Sequence, residues 1–118
     1  MEKKKIFLVE DDQFIVRAYQ DSLERAGFEV AVAFDGVEAM EKLKNMTPHL
    51  ILLDIIMPFK NGFEVLSELK SDDRLKNVPV VVLSNLGQDS DIKKGKELGA
   101  VDYMVKANYS MQEVIDKV

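Results

Sequence analysis

A chain of 118 residues, 47% apolar and 31% charged, suits one globular domain with a single sizeable core and excludes a disordered composition. Its net charge of −5 argues against non-specific attraction to nucleic acid, and the absence of cysteine excludes a disulfide scaffold or a thiolate-held metal and points to a reducing compartment. The apolar run Ile6-Phe7-Leu8-Val9 is too short for a signal peptide and nothing reaches the length of a membrane span, so a soluble, cytoplasmic single domain over 1–118 is expected.

In chain order, Ile6-Phe7-Leu8-Val9 reads as a buried strand that runs into Glu10-Asp11-Asp12. Ile15, Tyr19, Leu23 and Ala26 then fall at helical spacing, and Gly27 stands where a C-terminal cap belongs. Asp12, in the strand-to-helix loop, is expected to cap that helix. Residues 28–34 alternate large apolar side chains with Glu29, Ala31 and Ala33, the pattern of a half-buried strand. Asp35, with Glu38 three positions on, resembles a capping box for a helix through Val37, Met40 and Leu43, which Thr47-Pro48 closes.

Leu50-Ile51-Leu52-Leu53 is a second apolar strand and stops at Asp54. The turn-rich stretch 55–62 leads to a helix carrying Val65, Leu66 and Leu69, and 71–77 is a polar connection. Val80-Val81-Val82-Leu83 runs into Ser84. The fourth helix, over 91–98, is weak: Gly95 is interior, at about 1 kcal/mol against alanine, and only Ile92 and Leu98 are large and apolar. It is expected to be the most mobile helix. Residues 101–105 form a more mixed strand ending at Lys106, and Ser110 with Glu113 opens a last helix with Val114, Ile115 and Val118.

Five strands alternating with five helices predict an α/β fold. Strands one, three and four are nearly pure Ile, Leu and Val, as expected where helices cover both faces, whereas strands two and five are mixed, as edges would be. A doubly wound five-stranded parallel sheet of order 2-1-3-4-5 satisfies this. In that order the winding reverses between strands one and three, and ligands bind there beyond the carboxyl ends of the strands. Glu10, Asp11 and Asp54 fall at this switch point, with Ser84 and Lys106 further along the same rim.

Carboxylates gathered on one rim repel one another, and a hard divalent ion held by oxygen, Mg2+ or Mn2+, relieves the repulsion. Asp54, alone at the tip of its strand, can act as a nucleophile as well as a ligand, giving an aspartyl phosphate. Phosphoryl transfer depends on positioning and charge neutralisation, which the metal, Lys106 and the Ser84 hydroxyl would supply. Taken singly, a loop acid is usually a cap, a serine after a strand usually turn chemistry, and a lysine there usually solvated. Agreement at four strand ends is what favours a site.

With these residues in view, the chain from Lys5 to Val118 closely resembles the receiver domain of two-component response regulators, a flavodoxin-like fold. Glu10 and Asp11 match the family's acidic pair. Asp54-Ile55-Ile56-Met57-Pro58 followed by Gly62 matches the phosphoacceptor segment D-x-x-M-P-x-x-x-G. Ser84 matches the hydroxyl position, Lys106 the lysine, and Tyr103 the aromatic that swings inward on activation. The resemblance implies that Asp54 accepts a phosphoryl group from a histidine kinase or phosphotransfer protein, using Mg2+. It implies metal ligation by Asp11, Asp54 and the backbone carbonyl of Ile56, with Glu10 acting through a water. Ser84, Lys106 and Tyr103 would read the phosphoryl group and remodel the surface of the fourth helix, fifth strand and fifth helix for a downstream protein partner. Self-directed phosphotransfer and dephosphorylation would be its only catalysis, in a monomer or a phosphorylation-dependent dimer.

Three features bear on that implication. Ala107 stands where the family usually has a proline joined by a cis bond, and a cis bond before a non-proline residue costs about 2.5–4 kcal/mol. That leaves the geometry of the Lys106–Ala107 bond open between cis and trans, and with it the pose of Lys106. Asn85 replaces a small residue, which either crowds the phosphoryl group or adds a polar contact. Ile56 and Leu86 are both apolar and are expected to flank the path of the attacking water, which predicts slow self-dephosphorylation.

The rival readings are a metal-dependent phosphohydrolase of haloacid dehalogenase type, a nucleotide or flavin domain, and a receiver-like scaffold that takes no phosphate. The first needs D-x-D on strand one, where this chain has Glu10 and Asp12. The second needs a glycine-rich loop where Glu10-Asp11-Asp12-Gln13 stands.

Overall fold

A computed structural model describes residues 3–118 of the chain. The elements follow as β1 (Lys5–Val9), α1 (Gln13–Arg25), β2 (Glu29–Ala33), α2 (Gly36–Leu43), β3 (Leu50–Leu53), α3 (Gly62–Ser71), β4 (Val80–Ser84), α4 (Asp89–Glu97) and β5 (Asp102–Val105), then a 3-10 turn (Lys106–Asn108) and α5 (Met111–Lys117). All pairings are parallel and the sheet order is β2-β1-β3-β4-β5, as the strand compositions predict.

Period-two alternation sends neighbouring strand residues to opposite faces, and both faces are covered. Phe7, Val9, Ile51, Leu53, Val80 and Val82 share one core with Ala39 and Leu43 of α2 and Leu66 and Leu69 of α3. Ile6, Leu8, Leu52, Val81 and Leu83 share the other with Val16 and Leu23 of α1 and Val114 of α5. Apart from Lys5 at the start of β1 and Ser84 at the end of β4, the central strands are therefore apolar at every position. No helix among the described residues is long and apolar enough to cross a membrane.

Register delivers the strand ends to one rim. Val9 lies beside Leu53, Leu53 beside Val82, and Ser84 beside Val105. The ladder continues one step past the strands: Glu10 N–H donates to Ala33 O at 3.0 Å and Asp54 N–H to Val9 O at 2.9 Å. Glu10 and Asp54 thus leave adjacent strands side by side.

Several local expectations shift by a turn or less. Phe28 and Phe34 fall outside β2, and Val101, 62% exposed, lies outside β5. Gly27 does end α1, at φ 99°. Helix α4 begins at Asp89 because Asp91 is its third residue, whose carboxylate accepts the Gln88 N–H at 3.2 Å, so the acid that looks like a start is the far half of a cap. Glu38 reaches back to Phe34 N–H rather than to Asp35, while Asp35 caps the Glu38 N–H at 2.7 Å. Asn61, at the end of the stretch read from sequence as a loop, caps α3 in a capping box with Glu64.

Candidate functional site

Glu10, Asp54 and Ser84 are the buried polar or charged side chains among the described residues. Glu10 and Asp54 sit at the carboxyl ends of β1 and β3, and Asp11 follows Glu10 on the exposed side. One carboxylate oxygen from each of Glu10, Asp11 and Asp54 lies within 4.8 Å of the other two.

Backbone geometry fixes the direction of Asp54. Its Oδ1 accepts the N–H groups of Ile55 at 2.7 Å and Ile56 at 3.4 Å, while Oδ2 stands 3.6 Å from Lys106 Nζ. Lys106 lies closer to Glu10, with Nζ 2.5 Å from Oε2. The other Glu10 oxygen accepts the Asp12 N–H at 3.2 Å. Asp12 itself turns away to cap α1, accepting the Phe14 and Ile15 N–H groups at 2.9 and 3.2 Å.

Charge and burial compete here. Burial, helped by the nearby Asp54 charge, pushes the Glu10 carboxyl up to about 7 even though Lys106 opposes the shift. Burial also works against the Lys106 ammonium. The hydrogen bond to Glu10 and the charges of Asp54 and Glu10 outweigh that and hold its pKa above the ordinary lysine value.

These side chains open onto a cleft of about 250 Å³ lined by Glu10, Asp11, Asp12, Ile15, Asp54, Ile56, Asn85 and Lys106. Asn85, exposed at the mouth, is a lining residue, which gives the departure noted in the sequence a physical position. Ser84 is fully buried behind it, its Oγ accepting the Leu86 N–H at 3.2 Å. Ser84 and Leu86 are not among the cleft-lining residues, and Leu86 packs against the core shared with α2 and α3. Tyr103 is turned inward, 6% exposed, with its hydroxyl donating to Leu86 O. Burial, with Asp91 and Asp54 nearby, pushes its phenol up to about 12, so the hydroxyl stays a donor. The described residues contain no cis peptide bond, so Lys106 and Ala107 are joined in trans.

Three hard carboxylate donors that converge within 4.8 Å suit a divalent ion of the Mg2+ or Mn2+ class. The remaining groups, one backbone-anchored nucleophile and one ammonium, suit an anionic electrophile such as a phosphoryl group.

Comparison with known proteins agrees with this chemistry. The family model of the response regulator receiver domain matches residues 6–118. The alkaline phosphatase synthesis transcriptional regulatory protein PhoP of Bacillus subtilis (strain 168) is 39% identical over 115 residues, covering 98% of this chain and 47% of that protein. The chain spans about half the length of the curated relatives it matches. Among solved structures, the phosphorylated cyanobacterial phytochrome response regulator RcpA is similar with a TM-score of 0.87 and 38% identity, covering 98% of this chain and 89% of that one. The Mn2+-bound form of response regulator Rcp1 has a TM-score of 0.83 and 33% identity, covering 97% of this chain and 88% of that one. Fold, rim and sequence relatives agree, and the chain belongs to the response regulator receiver domain family.

Proposed function

We propose that this chain accepts a phosphoryl group on Asp54 from a histidine kinase or a histidine phosphotransfer protein and uses the modified state to engage a downstream protein. The observation that carries the reading is the anchoring of Asp54. One oxygen is held by two backbone N–H groups, and the other faces Lys106 inside a trio of carboxylates.

Asp11, Asp54 and the backbone carbonyl of Ile56 would hold the divalent ion, with Glu10 acting through a water. The ion would supply charge neutralisation to the carboxylates and to the phosphoryl oxygens. Asp54 Oδ2 attacks phosphorus, the bond from phosphorus to the donor's imidazole nitrogen breaks, and that nitrogen keeps the electron pair and takes a proton. Lys106, within 3.6 Å of Oδ2, needs only a small swing from Glu10 to meet the incoming oxygens. The Ser84 hydroxyl, which accepts from Leu86 N–H, keeps its own proton free to donate. Tyr103 and Ser84 both meet Leu86, so a change at the phosphoryl group reaches the surface of α4, β5 and α5 through one residue.

The phosphohydrolase reading is weaker because Glu10, its counterpart of the nucleophile, is salt-bridged to Lys106. With a net charge of −5 this domain has no evident means of binding nucleic acid itself, whatever a longer chain carries. With acetyl phosphate and Mg2+, one phosphoryl group per chain and no turnover of p-nitrophenyl phosphate are expected. Steady ester turnover would favour the hydrolase, and no labelling would favour the phosphate-free scaffold.

Ile56 lines the mouth of the cleft and presents no polar group to an attacking water. A long-lived phosphoryl group is expected. Ile56→Asn should shorten its lifetime severalfold in a radiolabel chase, with a smaller effect from Leu86→Glu. Unchanged lifetimes in both variants would remove Ile56 and Leu86 as modulators.

A further inference from the structure

Helix α4 docks on the molecule through a glycine. Gly95 is its buried residue, while Ile92 and Leu98 are only partly covered. A methyl group built on Gly95 would stand 2.7 Å from Cδ2 and 3.1 Å from Cε2 of Tyr103, and 3.9 Å from Cε1 of Phe63. The missing Cβ is a slot, and the Tyr103 ring fills it. Phe63 closes the slot from α3, with Lys94 Nζ 4.5 Å above its ring.

Glycine is the poorest helix former after proline, so its place inside α4 runs against local preference. The compensation lies across the slot. The Tyr103 hydroxyl donates to Leu86 O, and the Leu86 N–H donates to Ser84 Oγ at 3.2 Å. A single residue therefore joins the ring in the slot to the hydroxyl at the end of β4. Any side chain at position 95 would push the ring outward, release Leu86, and leave Ser84 Oγ without a fixed neighbour.

We propose that Gly95 is a positioning residue: the space left by its missing side chain seats the Tyr103 ring inward, and through the Leu86 peptide this keeps Ser84 in place beside the phosphoryl site. The effect on phosphoryl uptake rests on the receiver reading above, whereas the effect on Tyr103 does not. The chain carries three tyrosines, and nitration by tetranitromethane, mapped by peptide mass, reports each separately. In the wild type, half-buried Tyr109 should be nitrated on the order of tenfold faster than buried Tyr103. Gly95→Ala should raise Tyr103 nitration by a similar factor while the helical circular dichroism is kept. It should also slow phosphoryl uptake from acetyl phosphate severalfold. In a Tyr103→Ala background the same substitution should leave uptake unchanged, a non-additivity that a merely structural glycine would not show. Tyr103 remaining protected in Gly95→Ala, rapid Tyr103 nitration in the wild type, or equal slowing in both backgrounds would overturn the proposal. A wild type that takes up no phosphoryl group would instead overturn the receiver reading, and nitration would still decide the role of Gly95.

Discussion

Gly62→Ala is expected to lower stability by about 3 kcal/mol, the upper part of the usual range for overpacking, and to slow phosphoryl uptake on Asp54. A Cβ at this position would stand 2.2 Å from the carbonyl oxygen of Asp54 and 2.7 Å from Cα of Ile55. Both are backbone atoms of the loop that carries Asp54. They cannot give way as a side-chain tip does, because Gly62 N–H also donates to Ile55 O at 2.9 Å and ties the two ends of the loop together. The first turn of α3 therefore rests directly on the Asp54 peptide, and an added methyl displaces the residue proposed to attack phosphorus. This close approach gives a physical reason for the glycine eight positions after Asp54 in the D-x-x-M-P-x-x-x-G segment. Urea denaturation measures the stability term. A loss under about 1 kcal/mol would mean that the loop relaxes without strain.

Lys106→Ala should produce a second large effect, with a pH dependence of definite sign. Glu10 and Asp54 are buried beside one another, and Lys106 is the cation that reaches both. Removing one partner of a buried pair costs about 3–5 kcal/mol when the other must stay charged. Glu10 has an alternative, because burial already pushes it from 4.5 up to about 7, and the loss of Lys106 pushes it further. Its folded pKa lies above its unfolded one, so the native state binds the extra proton and stability falls as pH rises through the window from 4.5 to about 7. Without divalent ions, the variant should lie closest to the wild type near pH 5 and furthest from it above pH 7. Denaturation of both proteins near pH 5 and again well above pH 7 measures this. An equal loss at both pH values would show that Glu10 does not protonate in response. If Asp54 takes a phosphoryl group as proposed, the variant should also lose the coupling between its uptake and the α4–β5 face, because Lys106 Nζ stands 3.6 Å from Asp54 Oδ2.

The sheet order was readable because burial on both faces leaves a compositional trace. Leu50 to Leu53 and Val80 to Leu83 carry no polar residue, whereas Glu29 in β2 and Asp102 in β5 mark the edges. The acidic rim was readable for the same reason, since Glu10 and Asp54 each end an apolar run. Contacts between distant parts of the chain left no such trace. Whether Lys106 would meet Asp54 or Glu10 depends on the trans turn at Lys106–Asn108, and a lysine at a strand end states only that an ammonium is present. Ser84 reads as a rim residue by position, yet its hydroxyl is buried under the Leu86 peptide. Gly95 reads as a weakness of α4 because helix propensity counts only local cost. The ring of Tyr103 that occupies the space lies eight residues away on β5. The start of α3 was placed to within a residue, but its Asn61–Glu64 cap went unread because asparagine and glycine signal a turn as readily as a cap, and only Glu64 distinguishes the two.

The central claim, that Asp54 is the phosphoryl acceptor of a metal-assisted site, is tested most directly by intact mass after incubation with acetyl phosphate. The wild type should gain the mass of one phosphoryl group in the presence of Mg2+ and none after chelation. Asp54→Asn should gain none under either condition. A wild type that gains no mass with Mg2+, or a gain that survives Asp54→Asn, would contradict the account.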